Sequence, residues 1–419
     1  MKQIKIEGGI KLSGTINVGG AKNSAVALVP ASILSDEEIV IDNIPEISDI
    51  DALDEILEYL GANVTRTKNS MKIDSKSIVN KEIPENISKK LRASYYFMSA
   101  LLGKYKHVEM YFPGGCSIGA RPIDQTLKGF RALGADVQEV NNKFIIDAKE
   151  LKGANVYLDM PSVGATINTL LVAVKAKGKT VIENAAKEPE IVNVATFLNN
   201  MGAKIKGAGT SRITIEGVER LHKCYIEVIP DRIEAGTYII AGALIGENLK
   251  VNNLIPSHIE NLLSKLKEMN VDIEVGDDYV NVSSKNINNM KPIKVKTLGY
   301  PGFPTDLQQP LVTLLTQANG ISTLEETIYE NRFQNVEYLN KMGSNIDIFD
   351  KKIFIKGPTK LHAETVKATD LRAVACLVLA GLMSNGVTTV TNVEHVLRGY
   401  ENIIEKLTNV GAKIKLEEI

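Results

Sequence analysis

Residues 113–124 read PGGCSIGARPID, and Cys116 in that run stands among glycines rather than inside an apolar stretch. A thiol on a glycine-rich connection is available to chemistry. Arg121 nearby favours its thiolate and can also hold a phosphate or a carboxylate. The neutral thiol could donate a proton, and the thiolate could add to carbon. The plainer reading is a surface loop with an incidental cysteine. Cys376, inside AVACLVLAGLM, and Cys224 read as structural, and the three cysteines are too far apart for a metal-ligand spacing. The five histidines show no metal spacing either, and His395 stays open as a partner for a cysteine–histidine hydrolase.

A second set of candidates stands at the starts of six apolar runs: Lys22 and Asn23, Arg92, Ser162 with Gly164, Arg232, Asp306, and Asp370 with Arg372. The runs are AKNSAVALVPASIL (21–34), LRASYYFMSALL (91–102), VGATINTLLVAV (163–174), IEAGTYIIAGAL (233–244), FPTDLQQPLVTLL (303–315) and ATDLRAVACLVLAGL (368–382). Each reads as a helix buried on all sides. Helix starts present unpaired N–H groups and a partial positive charge. Several of them converging on one cleft, with lysine and arginine added, suit a multiply anionic substrate. Serine and aspartate at such places are also ordinary caps, and Asp370 is open to either reading. Capping does not explain Lys22 or Arg92, because a cation there opposes the helix dipole.

The elements that must position these residues form an internal repeat. LGANV (60–64) returns as LGADV (133–137), MGAKI (201–205), MNVDI (269–273), MGSNI (342–346) and VGAKI (410–414), at intervals of 68 or 73 residues. Gly or Asn in second place is what a helix ending in a left-handed residue needs, and a strand follows. Every unit thus holds a buried helix, a strand, and an amphipathic helix such as DALDEILEYLG. Helices that apolar need sheets around them, so the expected fold is α/β, with helices inside, strands outside and three units per domain. From strand end to terminal glycine the second unit runs 23 residues (Tyr111 to Gly134), against 18 in the first (Asn43 to Gly61). The surplus falls on GGCSIGAR, and inserted loops of a repeat commonly carry function. Pro310 is expected to interrupt its helix early.

At 419 residues the chain is too long for one ordinary core, which predicts two domains. Hydrophobic content of 44%, charged content of 24% and a net charge of −1 describe a soluble globular protein without the basic footprint of a nucleic-acid binder. The opening MKQIKIEGGIKLSG has no apolar h-region, and no apolar run is long enough to span a bilayer. With free thiols, this predicts a cytoplasmic protein. GGAKNS lacks the Walker spacing, and no cofactor or metal motif is present.

The chain resembles the enolpyruvyl transferases from end to end, through GAKNSA (20–25), LRAS (91–94), PGGCSIGARPID (113–124), PSVGAT (161–166), ENAAKEPEIV (183–192), PDRIEAGT (230–237), GFPTD (302–306), ENRF (330–333), ATDLRA (368–373) and RGYE (398–401). It is most similar to the branch that uses UDP-N-acetylglucosamine as acceptor. The resemblance implies two inside-out α/β domains, 22–229 and 1–21 plus 230–419, and transfer of enolpyruvyl from phosphoenolpyruvate to the sugar's 3-hydroxyl without a cofactor, in peptidoglycan precursor synthesis. By the same resemblance Asp306 takes the hydroxyl proton, and Cys116 donates a proton and forms a covalent phosphoenolpyruvate adduct. Lys22, Arg121 and Arg398 clamp phosphate and carboxylate, with Asn23 beside them. Arg92, the run Arg121, Pro122, Ile123, Asp124 and Gln125, and Ser162, Val163 and Gly164 hold the nucleotide sugar. Asp306 and Ile328 touch the sugar, and Arg332, Asp370 and Arg372 complete the binding set. Fosfomycin is the implied covalent inhibitor. Ser48, where some relatives have lysine, and a missing histidine before Pro301 depart from the family pattern. An acceptor such as shikimate 3-phosphate, or a non-catalytic binding protein on the same fold, are the alternatives.

Overall fold

Each of the six apolar runs folds as a helix: α1 Lys22–Ala31, α2 Tyr95–Tyr105, α3 Val163–Ala173, α4 Arg232–Ile245, α5 Thr305–Leu315 and α6 Leu371–Met383. The computed structural model describes residues 2–114 and 122–418, so Cys116 and Arg121 lie outside the described residues. The runs are apolar on every side, and the helices are correspondingly buried on every side; all of α4 is buried. Three of them start on capping side chains. Ser162 accepts from the Ala165 N–H, Asp231 from those of Ile233 and Glu234, and Asp370 from those of Arg372 and Ala373.

Two expectations need correcting. Pro310 does not interrupt its helix, because α5 runs through it to Leu315. An interior proline costs a helix about 3 kcal/mol, but α5 is buried from Leu307 to Leu315, and that packing holds it straight through. Arg92 does not start α2. It opens a 3₁₀ turn, Arg92–Ser94, and the α-helix begins three residues later at Tyr95.

The amphipathic helices end as the repeat predicts. Gly61, Gly134, Gly202, Asn270, Gly343 and Gly411 all have positive φ, from 68° to 104°. The helix hydrogen bonds can close there only if the chain turns left-handed, a region open to glycine and tolerated by asparagine.

Among the described residues there are six sheets, five of four strands and one of three. In the five, a central strand pairs antiparallel with a hairpin strand on one side and parallel with an edge strand on the other. In the three-stranded sheet, around His107–Tyr111, a single bridge from Ile83 to Met110 stands in for the parallel edge. Ile39–Asp42 lies between Ser70–Asp74 and Cys224–Glu227. Lys179–Glu183 lies between Arg212–Glu216 and Asn155–Tyr157. In the sixth repeat the hairpin strand is missing from its own stretch of sequence, and the N-terminal strand Lys2–Gly8 takes its place between Gly386–Thr391 and Lys413–Glu418. The sheets alternate buried and half-exposed positions, with the apolar face turned to the helices.

A small device recurs at the strand ends. Asn43, Asn184, Asn253 and Asn392 each follow a central strand with φ of 54° to 59°. Their side-chain amides donate to the carbonyls of Val228, Leu158, Val18 and Ala368, at 2.7 or 2.8 Å. Each acceptor is the residue just after the parallel edge strand, where the chain leaves for a buried helix. The tie holds each of these central strands to its parallel neighbour.

The chain separates into two compact units, one from residues 2–19 and 230–418, the other from 20–114 and 122–229. Each has its own continuous apolar core. Phe97, Phe130 and Phe197 are fully buried in the second, each stabilising it by about 1.5–3 kcal/mol. Among the described residues no helix is long and apolar enough to cross a membrane.

Candidate active site

In the unit formed by residues 2–19 and 230–418, α4, α5 and α6 pack on one another. Asp306, on the first turn of α5, accepts a hydrogen bond from Arg332 Nη2 on Oδ1 at 2.8 Å and one from Arg372 Nη2 on Oδ2 at 2.9 Å. Both arginine side chains are almost wholly buried, while Asp306 keeps 28% of its side-chain surface open. Burial works against the Arg372 charge, but Asp306, Tyr400 and Asp231 together outweigh it and hold the guanidinium above its ordinary value. Each Asp306 carboxylate oxygen thus accepts a charge-assisted hydrogen bond. The Tyr400 ring lies 5.3 Å from the Arg372 guanidinium and the Tyr329 ring 5.3 Å from that of Arg332. Gln309 ties the cluster down by donating to the Arg332 carbonyl and to Asp370 Oδ2.

The turn after the central strand Gly320–Glu325 is equally fixed. Glu326 is buried, and its carboxylate accepts from the hydroxyls of Thr297 and Thr305 and from the N–H groups of Ile328 and Tyr329. Ile328 itself faces outward, 41% exposed.

In the unit formed by 20–114 and 122–229, α1 packs on α2 and α2 on α3. Lys22 opens α1 and pairs with Asp49 at 2.7 Å, with the aspartate almost wholly buried. Asp49 sits in the first turn of the helix Ser48–Leu60, where a carboxylate also suits the dipole. The Lys22 cation is thus compensated within the fold. Arg92 lies 5.7 Å from the Tyr95 ring. The start of α3 comes so close to Tyr95 that a Cβ on Gly164 would stand 1.9 Å from the phenol oxygen, so a side chain there would have to displace the Tyr95 ring. Asp124 and Gln125 open the helix Asp124–Ala132, and Gln125 bonds both ways with Asp159, donating to its carboxylate and accepting from its N–H.

A family model described as EPSP synthase (3-phosphoshikimate 1-carboxyvinyltransferase) matches residues 6–407. The protein named UDP-N-acetylglucosamine 1-carboxyvinyltransferase 2 in Bacillus subtilis (strain 168) is 51% identical over 419 residues, covering 100% of this chain and 97% of its own. The chain belongs to the enolpyruvyl transferase family. A Listeria monocytogenes relative of the same name is 52% identical over 409 residues, covering 98% of this enolpyruvyl transferase and 96% of its own chain. Among solved structures, the enolpyruvyl transferase NikO from Streptomyces tendae matches with a TM-score of 0.90 at 27% identity, over 99% of each chain. An EPSP synthase from Acinetobacter baumannii shares the fold, with a TM-score of 0.77 at 18% identity over 100% of each chain.

The candidate residues of this enolpyruvyl transferase fall into groups. Asp306, Arg332 and Arg372 form one bonded cluster, with Asp370 beside it as the buried N-cap of α6. Ile328 stands two residues past Glu326, and Arg398 closes the 3₁₀ turn Val393–Arg398. Ser162 is the N-cap of α3, and Val163 and Gly164 are its first two residues. Lys22 and Asn23 open α1, Pro122 and Ile123 lead into the helix at Asp124 and Gln125, and Arg92 begins its 3₁₀ turn. Asp49, Gln309 and Glu326 were not foreseen. Asp49 left a signal, since it sits among Ile47, Ile50 and Leu53 on the buried side of its helix. A buried acid on an apolar face calls for a cation.

Proposed function

We propose that this enzyme transfers the enolpyruvyl group of phosphoenolpyruvate to the 3-hydroxyl of UDP-N-acetylglucosamine and releases phosphate, the first committed step of peptidoglycan precursor synthesis in the cytoplasm. One observation carries the reading. Over its whole length the chain is 51% identical to a protein named for that acceptor, whereas the EPSP synthase structure shares the fold at 18%.

The roles are those that the resemblance implies, and the chemistry of each residue suits them. Asp306 takes the proton of the 3-hydroxyl, and the oxygen attacks C2 of phosphoenolpyruvate while Cys116 delivers its proton to C3. The product of this addition is a tetrahedral phosphate ketal. Loss of a proton from C3 and departure of phosphate from C2 then restore the double bond as an enolpyruvyl ether. Cys116 also adds to C2 of phosphoenolpyruvate, with its proton going to C3, which gives the covalent adduct, and the same thiol is the expected point of alkylation by fosfomycin. Lys22, Arg121 and Arg398, with Asn23, hold the phosphate and carboxylate and stabilise the charge of the intermediate. Arg332 and Arg372 hold the Asp306 carboxylate in place. The backbone N–H groups at Ser162, Val163 and Gly164, with Arg92 and residues 121–125, bind the diphosphate and nucleotide.

Mass spectrometry of the products tests the reading. Incubation with both substrates is expected to convert UDP-N-acetylglucosamine into its carboxyvinyl ether. Nucleotide sugar recovered unchanged from folded protein contradicts it.

A further inference from the structure

We propose that Glu326 is a positioning residue for the transfer, setting the Asp306 carboxylate through Thr305 on one side and the Ile328–Tyr329 turn on the other. The inference rests on the role given to Asp306 above. Glu326 holds the place in its repeat that Asn43, Asn184, Asn253 and Asn392 hold in theirs, the residue just after the central strand. Those asparagines tie the strand to its parallel neighbour with a neutral amide. A carboxylate is not needed for that task, and burying one is expensive unless every acceptor position is used. Here Glu326 is 1% exposed and its carboxylate accepts four hydrogen bonds, three on Oε1 and one on Oε2.

Its contacts lead to the reacting group by two routes. Oε1 accepts from Thr297 Oγ1 at 2.9 Å, which replaces the asparagine tie to the edge strand. Oε2 accepts from Thr305 Oγ1 at 2.8 Å, and Thr305 is the residue before Asp306 at the start of α5. Oε1 also accepts from the N–H groups of Ile328 at 2.8 Å and Tyr329 at 3.2 Å. The Tyr329 ring then backs the Arg332 guanidinium, which bonds Asp306. Both routes end on the same carboxylate, so loosening Glu326 loosens the base from its backbone and from its arginine at once.

The test is steady-state kinetics of Glu326→Ala, Glu326→Gln, Thr305→Val and Asn253→Gly beside the wild type, with phosphoenolpyruvate and UDP-N-acetylglucosamine. Glu326→Ala is expected to lose about 10²-fold in kcat with KM for phosphoenolpyruvate within about twofold, the pattern of a misplaced group rather than lost binding. Glu326→Gln restores most of the rate, because its oxygen still accepts from both N–H groups and its amide can donate to Thr305. Asn253→Gly removes the same kind of strand tie, at a φ that glycine accepts, and keeps wild-type kcat. Wild-type kcat in Glu326→Ala, or an equal loss in Asn253→Gly, overturns the proposal. If Glu326→Ala does not fold, Thr305→Val decides: lowered kcat at unchanged KM supports the proposal, and wild-type kcat overturns it. A wild-type enzyme inert with this acceptor removes the parent reading as well, which separates the two failures.

Discussion

Two demands meet at Asp306. The base proposed there needs a lone pair for the acceptor's proton besides those engaged by the two guanidinium groups. The result is a carboxylate held in one place, with more than a quarter of its side-chain surface open. Its placing by the two arginines is what prepares it for the transfer. The cysteines divide along similar lines. Burial pushes the Cys376 thiol up to about 11, with hydrogen bonds from Thr313 and Asn335 pulling the other way, and burial also raises Cys224. Neither is a ready thiolate near neutral pH. Cys116→Ser is therefore expected to lose the covalent adduct with phosphoenolpyruvate or fosfomycin, while Cys224→Ser and Cys376→Ser keep it. Intact-protein mass reads this directly, and an adduct on Cys116→Ser contradicts the assignment. Asp306 was legible in the sequence from its place at the start of an apolar run. Its arginine partners were legible only as members of a set, because Arg332, Arg372 and Asp306 are brought together by chain segments far apart in sequence.

At the scale of elements, the six helix ends could be read directly, since a left-handed terminus restricts the choice to glycine or asparagine. Pro310 was misread, because a local rule about proline ignores the packing that encloses α5. The cation at Lys22 likewise gained its buried partner from a neighbouring helix. A half-buried acid on that helix, Ser48–Leu60, makes a pH prediction. Burial pushes the Asp54 carboxyl up from its ordinary 3.8 to about 6, although Arg66 pulls it down. The folded chain thus holds this proton more firmly than the unfolded chain. Its contribution to stability is present below pH 3.8, is lost as pH rises to about 6, and stays lost above. Asp54→Asn is expected to stabilise the protein by about 1 kcal/mol at pH 7–8, after allowance for solvent screening and the shared Arg66 bond, and by nothing near pH 4. Thermal unfolding at the two pH values checks it. An equal effect at both would show that the charge is not the cause.

Across the whole molecule, six copies of one plan make two cores, and the sixth copy is completed by the other end of the chain. Removing residues 2–9 takes away the strand between Gly386–Thr391 and Lys413–Glu418, along with the fully buried Ile4 and Ile6. The loss is expected to be roughly 4 kcal/mol or more, and a truncated protein with wild-type Tm would contradict this account of the sheet. Periodicity could not supply that pairing, because alternation tells which face of a strand is buried and not which distant strand lies beside it. The buried helices and outer sheets were legible because the repeat shows the same unit six times. The acceptor was legible only through likeness to relatives, since a diphosphate-binding helix start looks alike for many anions. Phosphate release from phosphoenolpyruvate, measured with UDP-N-acetylglucosamine and with shikimate 3-phosphate in parallel, tests the central claim most directly. The account predicts release with the nucleotide sugar alone. Release with shikimate 3-phosphate alone, or with neither acceptor in folded protein, would contradict it.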